Sequence, residues 1–538
     1  MKKITIGLLM LCSTLVFSQE DALVFFADKE NVADALANPL TILTQDALDR
    51  KQLHGTPIDE RDVPVTPSYV SEIKDQPGIT VYAKSKWMNS VYVRGSQANI
   101  ENLVNLSFVE EIEFLNDNLN FSPPISGTRD KFEIENNSQR VVYDYGLAAN
   151  QVEMISADYL HEQDFTGAGI VVAVLDSGFP NVTSIPGFSD MINEGRLLGT
   201  YDFVLKQETL DNTSSHGTRV LSDMAAIDEG QLVGTAPGAS YYLYRTEDTN
   251  SENPVEEAYW VEALERADSL GVYVTNTSLG YQDFDDASYD HDYSDLDGQT
   301  TIAARGANHA FDKGMLLVTS AGNDGNGFGF VATPADAPGV LTVGAVDGSE
   351  NYASFSSYGP TSDGRIKPDV MAQGENAAVI GQFGDVFFNN GTSFASPIMA
   401  GAVASLWQAR PQTTNAELMQ IVREASSMFE NPSNTMGYGI PNFEEALMML
   451  QQLDTDEFLL ENEFGVYPNP VQEYLTVSFP RNITSAELTL MNVLGERVLK
   501  TKVSNTNNRV EVSKLTSGVY IAAITSEGKT NSFKIIKK

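Results

Sequence analysis

Asn390-Gly391-Thr392-Ser393-Phe394-Ala395-Ser396-Pro397 runs directly into Ile398-Met399-Ala400-Gly401-Ala402-Val403-Ala404. An Asn-Gly turn before a run of small and apolar residues reads as a tight turn opening a buried helix. Pro397 is expected in the first turns of that helix, where a missing N–H costs least. Ser393 then stands at the helix entrance, its own N–H unpaired at the positive end of the dipole. A hydroxyl beside a free donor is what acyl transfer needs, since one group attacks and the other stabilises the oxyanion. A Ser in this place is more often a plain N-cap, so the reading depends on partners elsewhere in the chain.

Two partners stand out. Val171-Val172-Ala173-Val174-Leu175 is a continuous apolar run, typical of a strand buried on both faces of a parallel sheet. It ends in Asp176-Ser177-Gly178, and sites in open α/β sheets lie beyond the carboxyl ends of the strands. Ser215-His216-Gly217-Thr218 then places a His at the start of a helical pattern, in a chain with only 5 His. A strand-end Asp alone is usually a turn residue and a lone His usually structural. The order Asp176, His216, Ser393, each in its own local motif, is the constellation of a Ser-His-Asp triad.

On these residues the chain resembles the subtilisin-like serine peptidases, the subtilases of family S8, over roughly residues 140–450. The resemblance extends to Thr319-Ser320-Ala321-Gly322-Asn323-Asp324-Gly325, which implies Asn323 as a side-chain oxyanion donor. It also extends to Asn276-Thr277-Ser278-Leu279-Gly280, which implies a strand lining the substrate cleft. Ser278, Leu279 and Gly280 would bind substrate main chain, with Ala321 and Gly322 forming one wall of the pocket before the cut. Gly234–Ala239, Ala332–Ala335 and Asp363–Val370 match further family segments. Two positions depart from the pattern: Ala225-Ala226 replaces the usual Ala-Gly, and Gln373 stands where Pro is common. Neither touches the triad.

The full chain of 538 residues is too long for one core, and 73 Asp and Glu against 34 Lys and Arg give a formal charge of −39. Such a surface repels nucleic acid and anionic membrane, which excludes nucleic acid as a partner. Residues 1–18 read as a secretory signal: Lys2-Lys3, an apolar Ile4–Phe17 too short to span a bilayer, and a cut before Gln19. The single Cys, Cys12, lies inside it, so no disulfide or thiolate metal site is available to the exported chain. No later segment is long and apolar enough to cross a membrane.

Residues 19–139 read as a small α+β unit with strands near 22–27, 78–82, 90–93 and 109–114, followed by a polar linker. By resemblance this is a propeptide that blocks the cleft, with a cut near Arg140. Residues 140–453 alternate strand and helix, which predicts an α/β unit with a mostly parallel sheet and helices on both faces. Within it, Asp283–Asp297 carries 7 Asp. Structural calcium is one reading, since Asp-rich loops supply oxygen ligands; a solvated acidic loop is the other. Residues 454–463 read as an acidic linker. Residues 464–538 read as a small antiparallel β-sandwich. It resembles the C-terminal sorting domain of type IX secretion cargo in Tyr467-Pro468-Asn469-Pro470, in Gly518-Val519-Tyr520 and in its basic end; a carbohydrate- or protein-binding β module is the alternative.

Taken together, these readings imply a serine endopeptidase exported through the periplasm to the cell surface or beyond, broad in specificity. It would need no cofactor for its chemistry, with proteins or peptides as substrates, its own propeptide as inhibitor and the type IX machinery as partner. A maturation protease with one surface-protein target shares that chemistry. An inactive binding protein on the same scaffold is the alternative from another class.

Overall fold

The structure, a computed structural model, describes residues 19–116, 119, 143–210, 214–462, 464–468, 470–479, 483–492, 496–526 and 529–538. The leader read over 1–18 and the cut near Arg140 lie outside these residues. The chain forms two compact units, one taking in the described residues up to Leu447 and the other running from Met448.

The first unit opens on an antiparallel sheet. Its strands are β1 (Gln19–Phe26), β2 (Thr80–Ser85), β3 (Ser90–Ser96) and β4 (Val109–Phe114), in the order β2-β3-β1-β4. One face holds Val24, Val91, Val93 and Ile100 in a small core of its own. The other turns Leu23, Ala83 and Tyr92 onto the helix Val255–Ser269 of the larger module, among Ala258, Val261 and Leu264. The alternation of side chains along each strand is what allows one thin sheet to serve two cores.

The larger module is built on β5 (Val171–Asp176), β6 (Leu197–Asp202), a two-residue ribbon of β7 (Ile227–Asp228) and β8 (Leu232–Val233), β9 (Ser240–Arg245), β10 (Val274–Thr277), β11 (Leu316–Ser320), β12 (Val340–Val346) and β13 (Val370–Gln373). Seven of these form one sheet in the order β13-β12-β11-β10-β5-β9-β6, every pairing parallel. Ala173, Leu175 and Leu317 pack towards the helices Val255–Ser269 and Ile302–Asp312. The helices His216–Ala225 and Thr392–Ala409 cover the opposite face, the latter against β10 to β13. A hairpin of β14 (Ala377–Ile380) and β15 (Val386–Asn389) leads into Thr392–Ala409. The expected α/β architecture with helices on both faces is therefore present.

The Asp-rich loop is stitched by its own carboxylates. Asp290 accepts from the Phe284 N–H at 2.7 Å, Asp295 from the Asp292 N–H at 2.7 Å, and Asp297 from the Gln299 and Thr300 N–H groups at 2.8 Å each. Among the described residues no group of three or more acidic, His or Cys side chains is placed to hold a metal ion.

In the second unit, β16 (Gly465–Tyr467), β17 (Tyr474–Ser478) and β20 (Arg509–Glu511) form one antiparallel sheet. β18 (Ser485–Asn492), β19 (Arg497–Ser504), β21 (Gly518–Ser526) and β22 (Lys529–Lys537) form another. Leu475 and Val477 from the first sheet meet Leu488, Leu490, Ile524 and Ile535 from the second, which makes a sandwich with its own core. The stretch read as an acidic linker is helical over 454–462. The helix that starts at Phe443 runs to Asn462. Asp454-Thr455-Asp456-Glu457-Phe458-Leu459-Leu460-Glu461-Asn462 contains no Gly or Pro to stop it.

Candidate active site

Asp176 is the last residue of β5 and is fully buried. Its carboxylate accepts from the Ser177 N–H at 2.7 Å and stands 2.9 Å through each oxygen from His216 Nδ1. A carboxylate only accepts, so Nδ1 is the donor in this contact. His216 opens its helix over the end of β5. Gly217 is required there: a Cβ would lie 2.6 Å from the Gly178 carbonyl and 2.6 Å from the Phe179 ring. The His216 ring also sits 5.9 Å from that of Phe394, centre to centre.

Ser393 is the second residue of the helix Thr392–Ala409 and is 8% exposed. Its hydroxyl donates to the Ser278 carbonyl at 3.2 Å, and in this rotamer no hydrogen bond joins it to His216. Apo sites often show such loose catalytic contacts. The turn before it distributes its donors unequally. Asn323 Oδ1 accepts the Thr392 N–H at 2.9 Å and lies 3.0 Å from the Thr392 hydroxyl. A backbone N–H can only donate, so the amide oxygen faces Thr392 and Nδ2 faces outward. Among the described residues neither Asn323 Nδ2 nor the Ser393 N–H has a protein acceptor. Two unpaired donors thus flank one hydroxyl at the positive end of a helix.

Pro397 is the sixth residue of this helix, deeper than expected. Its missing N–H is the one that would have bonded to the Ser393 carbonyl. That carbonyl is met by the Ser278 hydroxyl at 2.8 Å. A relay continues inward: Asn276 Nδ2 donates to Ser278 Oγ at 3.0 Å, and the Ser396 hydroxyl donates to Asn276 Oδ1 at 2.8 Å. Ser278 therefore braces the helix, with Leu279 half-buried and Gly280 exposed beyond it. Ala321 is buried. Gly322, at φ +103, takes a conformation only Gly holds without strain, and a Cβ there would meet Ser357 Oγ at 2.9 Å. The structure thus brings all nine residues singled out from sequence to one place, the carboxyl ends of β5, β10 and β11 and the mouth of the serine helix.

Sequence reading missed the supports. Thr392 holds Asn323, Ser214 accepts from the Ser177 hydroxyl at 2.8 Å, and Ser396 anchors Asn276. The spacing of Thr392 and Ser396, four apart on one helix face, was the available signal. Glu247, just past β9, accepts from the Tyr281 hydroxyl at 2.9 Å; burial pushes its carboxyl up.

Comparison with known proteins places this geometry. Residues 167–439, just over half the chain, match the subtilase family model. Residues 21–133 match the Bacteroidota peptidase S8 propeptide domain, and residues 465–538 the secretion system C-terminal sorting domain. An alkaline protease of Alkalihalobacillus alcalophilus is 27% identical over 331 residues, covering 61% of this chain and 76% of that protein. Subtilisin Savinase of Lederbergia lenta is 27% identical over 296 residues, covering 55% of this chain and 97% of that protein. Membrane-bound transcription factor site-1 protease of Rattus norvegicus is 32% identical over 265 residues, covering 47% of this chain and 22% of that protein. A family match of that extent, over a span that takes in Asp176, His216 and Ser393, means that the chain belongs to the subtilase family and is a serine-type endopeptidase.

Proposed function

We propose that this protein is a broad-specificity endopeptidase of the cell surface or surrounding medium, acting through Asp176, His216 and Ser393. The observation that carries the reading is the pair of unpaired donors, Ser393 N–H and Asn323 Nδ2, set beside His216 and the buried Asp176 that holds it. In the mechanism, an extended substrate lies along Ser278–Gly280 and offers its own N–H to the Ser278 carbonyl. That frees the Ser393 hydroxyl to turn towards His216 Nε2. His216 takes the hydroxyl proton as Oγ attacks the scissile carbonyl, and Asp176 stabilises the imidazolium. The oxyanion receives hydrogen bonds from Ser393 N–H and Asn323 Nδ2. His216 then gives its proton to the leaving amine, the acyl-enzyme forms, and water releases it by the reverse sequence. Main-chain recognition of this kind predicts little dependence on side chains.

The propeptide domain supports synthesis as a self-inhibited precursor, and the sorting domain supports export by the type IX route. The test is labelling of the processed protein with a fluorophosphonate probe. Label is expected on wild type and absent from Ser393→Ala. Folded, processed wild type that stays unlabelled would end the reading. Asn323→Ala should keep label and lose about 10²–10³ in turnover, the cost of one oxyanion donor in a related enzyme. A peptide-library profile dominated by one sequence would replace broad specificity with a dedicated maturation role.

A further inference from the structure

The N-terminal domain touches the peptidase in a second place, remote from the cleft. Its helix Gln45–Leu53 delivers Arg50 and Lys51, each 1% exposed, to the loops just before β10 and β11. Arg50 donates to Asp268, to the Val272 carbonyl and to the Lys313 carbonyl. Lys51 Nζ lies 2.7 Å from Asp268 Oδ1 and 3.3 Å from Asp62 Oδ1. Lys313 Nζ lies 2.7 Å from Asp62 Oδ2 and 2.9 Å from Asp59 Oδ1. Asp62, Asp268 and Lys313 are all 0% exposed.

The ownership of these charges is the informative part. Asp268 and Lys313 belong to the peptidase. Among the described residues, every ion-pair partner of either one belongs to the N-terminal domain: Arg50, Lys51 and, at 4.0 Å, Lys86 for Asp268; Asp59 and Asp62 for Lys313. The domains thus exchange charges of both signs. Exposed ion pairs hold proteins together weakly, but taking one partner from a buried pair is costly because the other is left uncompensated. Asp268 is doubly placed to feel this, since it sits in the last turn of Val255–Ser269, where the helix dipole disfavours an anion. The location matters equally. Val272 and Lys313 precede the amino ends of β10 and β11, whereas the triad stands at the carboxyl ends, on the order of 15 Å away along the strands.

We propose that the Arg50, Lys51, Asp62, Asp268 and Lys313 cluster is a release latch, which keeps the severed propeptide on the enzyme from the end opposite the cleft. Cutting the linker then leaves the cleft occupied, and rupture of the latch sets when it opens. The proposal rests on reading the chain as a self-inhibited precursor, so its test avoids catalysis.

The full chain carrying Ser393→Ala, which cannot cut itself, is nicked by limited trypsin treatment in the 120–142 stretch, where Arg129, Lys131 and Arg140 stand. Native mass spectrometry after dilution then follows loss of the N-terminal fragment. Lys51→Met and Lys313→Met are each expected to speed that loss about tenfold or more. Lys51→Met leaves the peptidase sequence intact and carries the test should Lys313→Met not fold. Release rates unchanged by either single variant would overturn the latch. Failure of wild type to label or to cut itself would overturn the precursor reading and leave these release rates as they are.

Discussion

Thr392 grips Asn323 by its oxygen and so fixes which way its amide nitrogen points. The backbone half of that grip survives any substitution, but the hydroxyl half does not. Thr392→Val is therefore expected to lower kcat by up to about tenfold with KM nearly unchanged, and Thr392→Ser to restore it, in steady-state kinetics on a peptide substrate. His161 offers a second test at this scale. Its Nε2 faces the Thr235 carbonyl at 3.0 Å, so Nε2 is protonated and Nδ1 accepts from the Tyr145 hydroxyl at 2.7 Å. Burial pushes its pKa down to about 4. The native state keeps it neutral while the unfolded chain, near pKa 6.5, binds a proton. Its contribution is thus complete above pH 6.5 and is lost as pH falls from there towards 4. Denaturant unfolding of the Ser393→Ala form should lose about 2 kcal/mol more between pH 7 and 4.5 than the same form with His161→Gln. Asp176, His216 and Ser393 could be singled out from the sequence because each sits in a local motif. Thr392 was not, since its partner lies 69 residues away and only the fold brings them together.

Pro397 and Ser278 belong to the scale of elements, because one creates a gap in a helix that the other fills from a strand. Ser278→Ala should cost about 1–3 kcal/mol by leaving the Ser393 carbonyl buried and unpaired. Pro397→Ala returns an N–H to that carbonyl, so Ser278→Ala should cost less than half as much in its presence. A double-mutant cycle by denaturant unfolding, run in the Ser393→Ala form, measures this; equal costs in both backgrounds would show that the two do not share the carbonyl. At this scale the buried central strands were the readable ones. Ser240–Arg245, Leu316–Ser320 and Val340–Val346 fit the strand-helix alternation read over residues 140–453. The edge strands β6 and β13 went unread. Leu197-Leu198-Gly199-Thr200-Tyr201-Asp202 mixes polar residues and a Gly because it has only one neighbour, and β13 is four residues long. The run of the helix past Leu453 to Asn462 went unread because charge was weighed above the absence of helix breakers.

Across the whole molecule, two units with separate cores should melt separately. Removing residues 464–538 is expected to leave the thermal midpoint of the remainder within about 2 °C, while the intact chain shows an added transition in calorimetry. A shift well beyond that would mean the sandwich shares stability with the peptidase. The parallel sheet has a further consequence, for the order in which the protein can come into being. Val172 must meet Val274 on one side and Tyr241 on the other, so the central strand is made long before either neighbour exists. The four strands β1 to β4, by contrast, all lie before residue 115 and pair only with each other. On a chain emerging amino end first, the N-terminal sheet is complete while Val171–Leu175 still waits, sticky and unpaired, for its partners. The domain that matches the S8 propeptide model thus has its whole sheet in hand before the peptidase sheet has the neighbours of its central strand, so the order of synthesis is also an order of assembly.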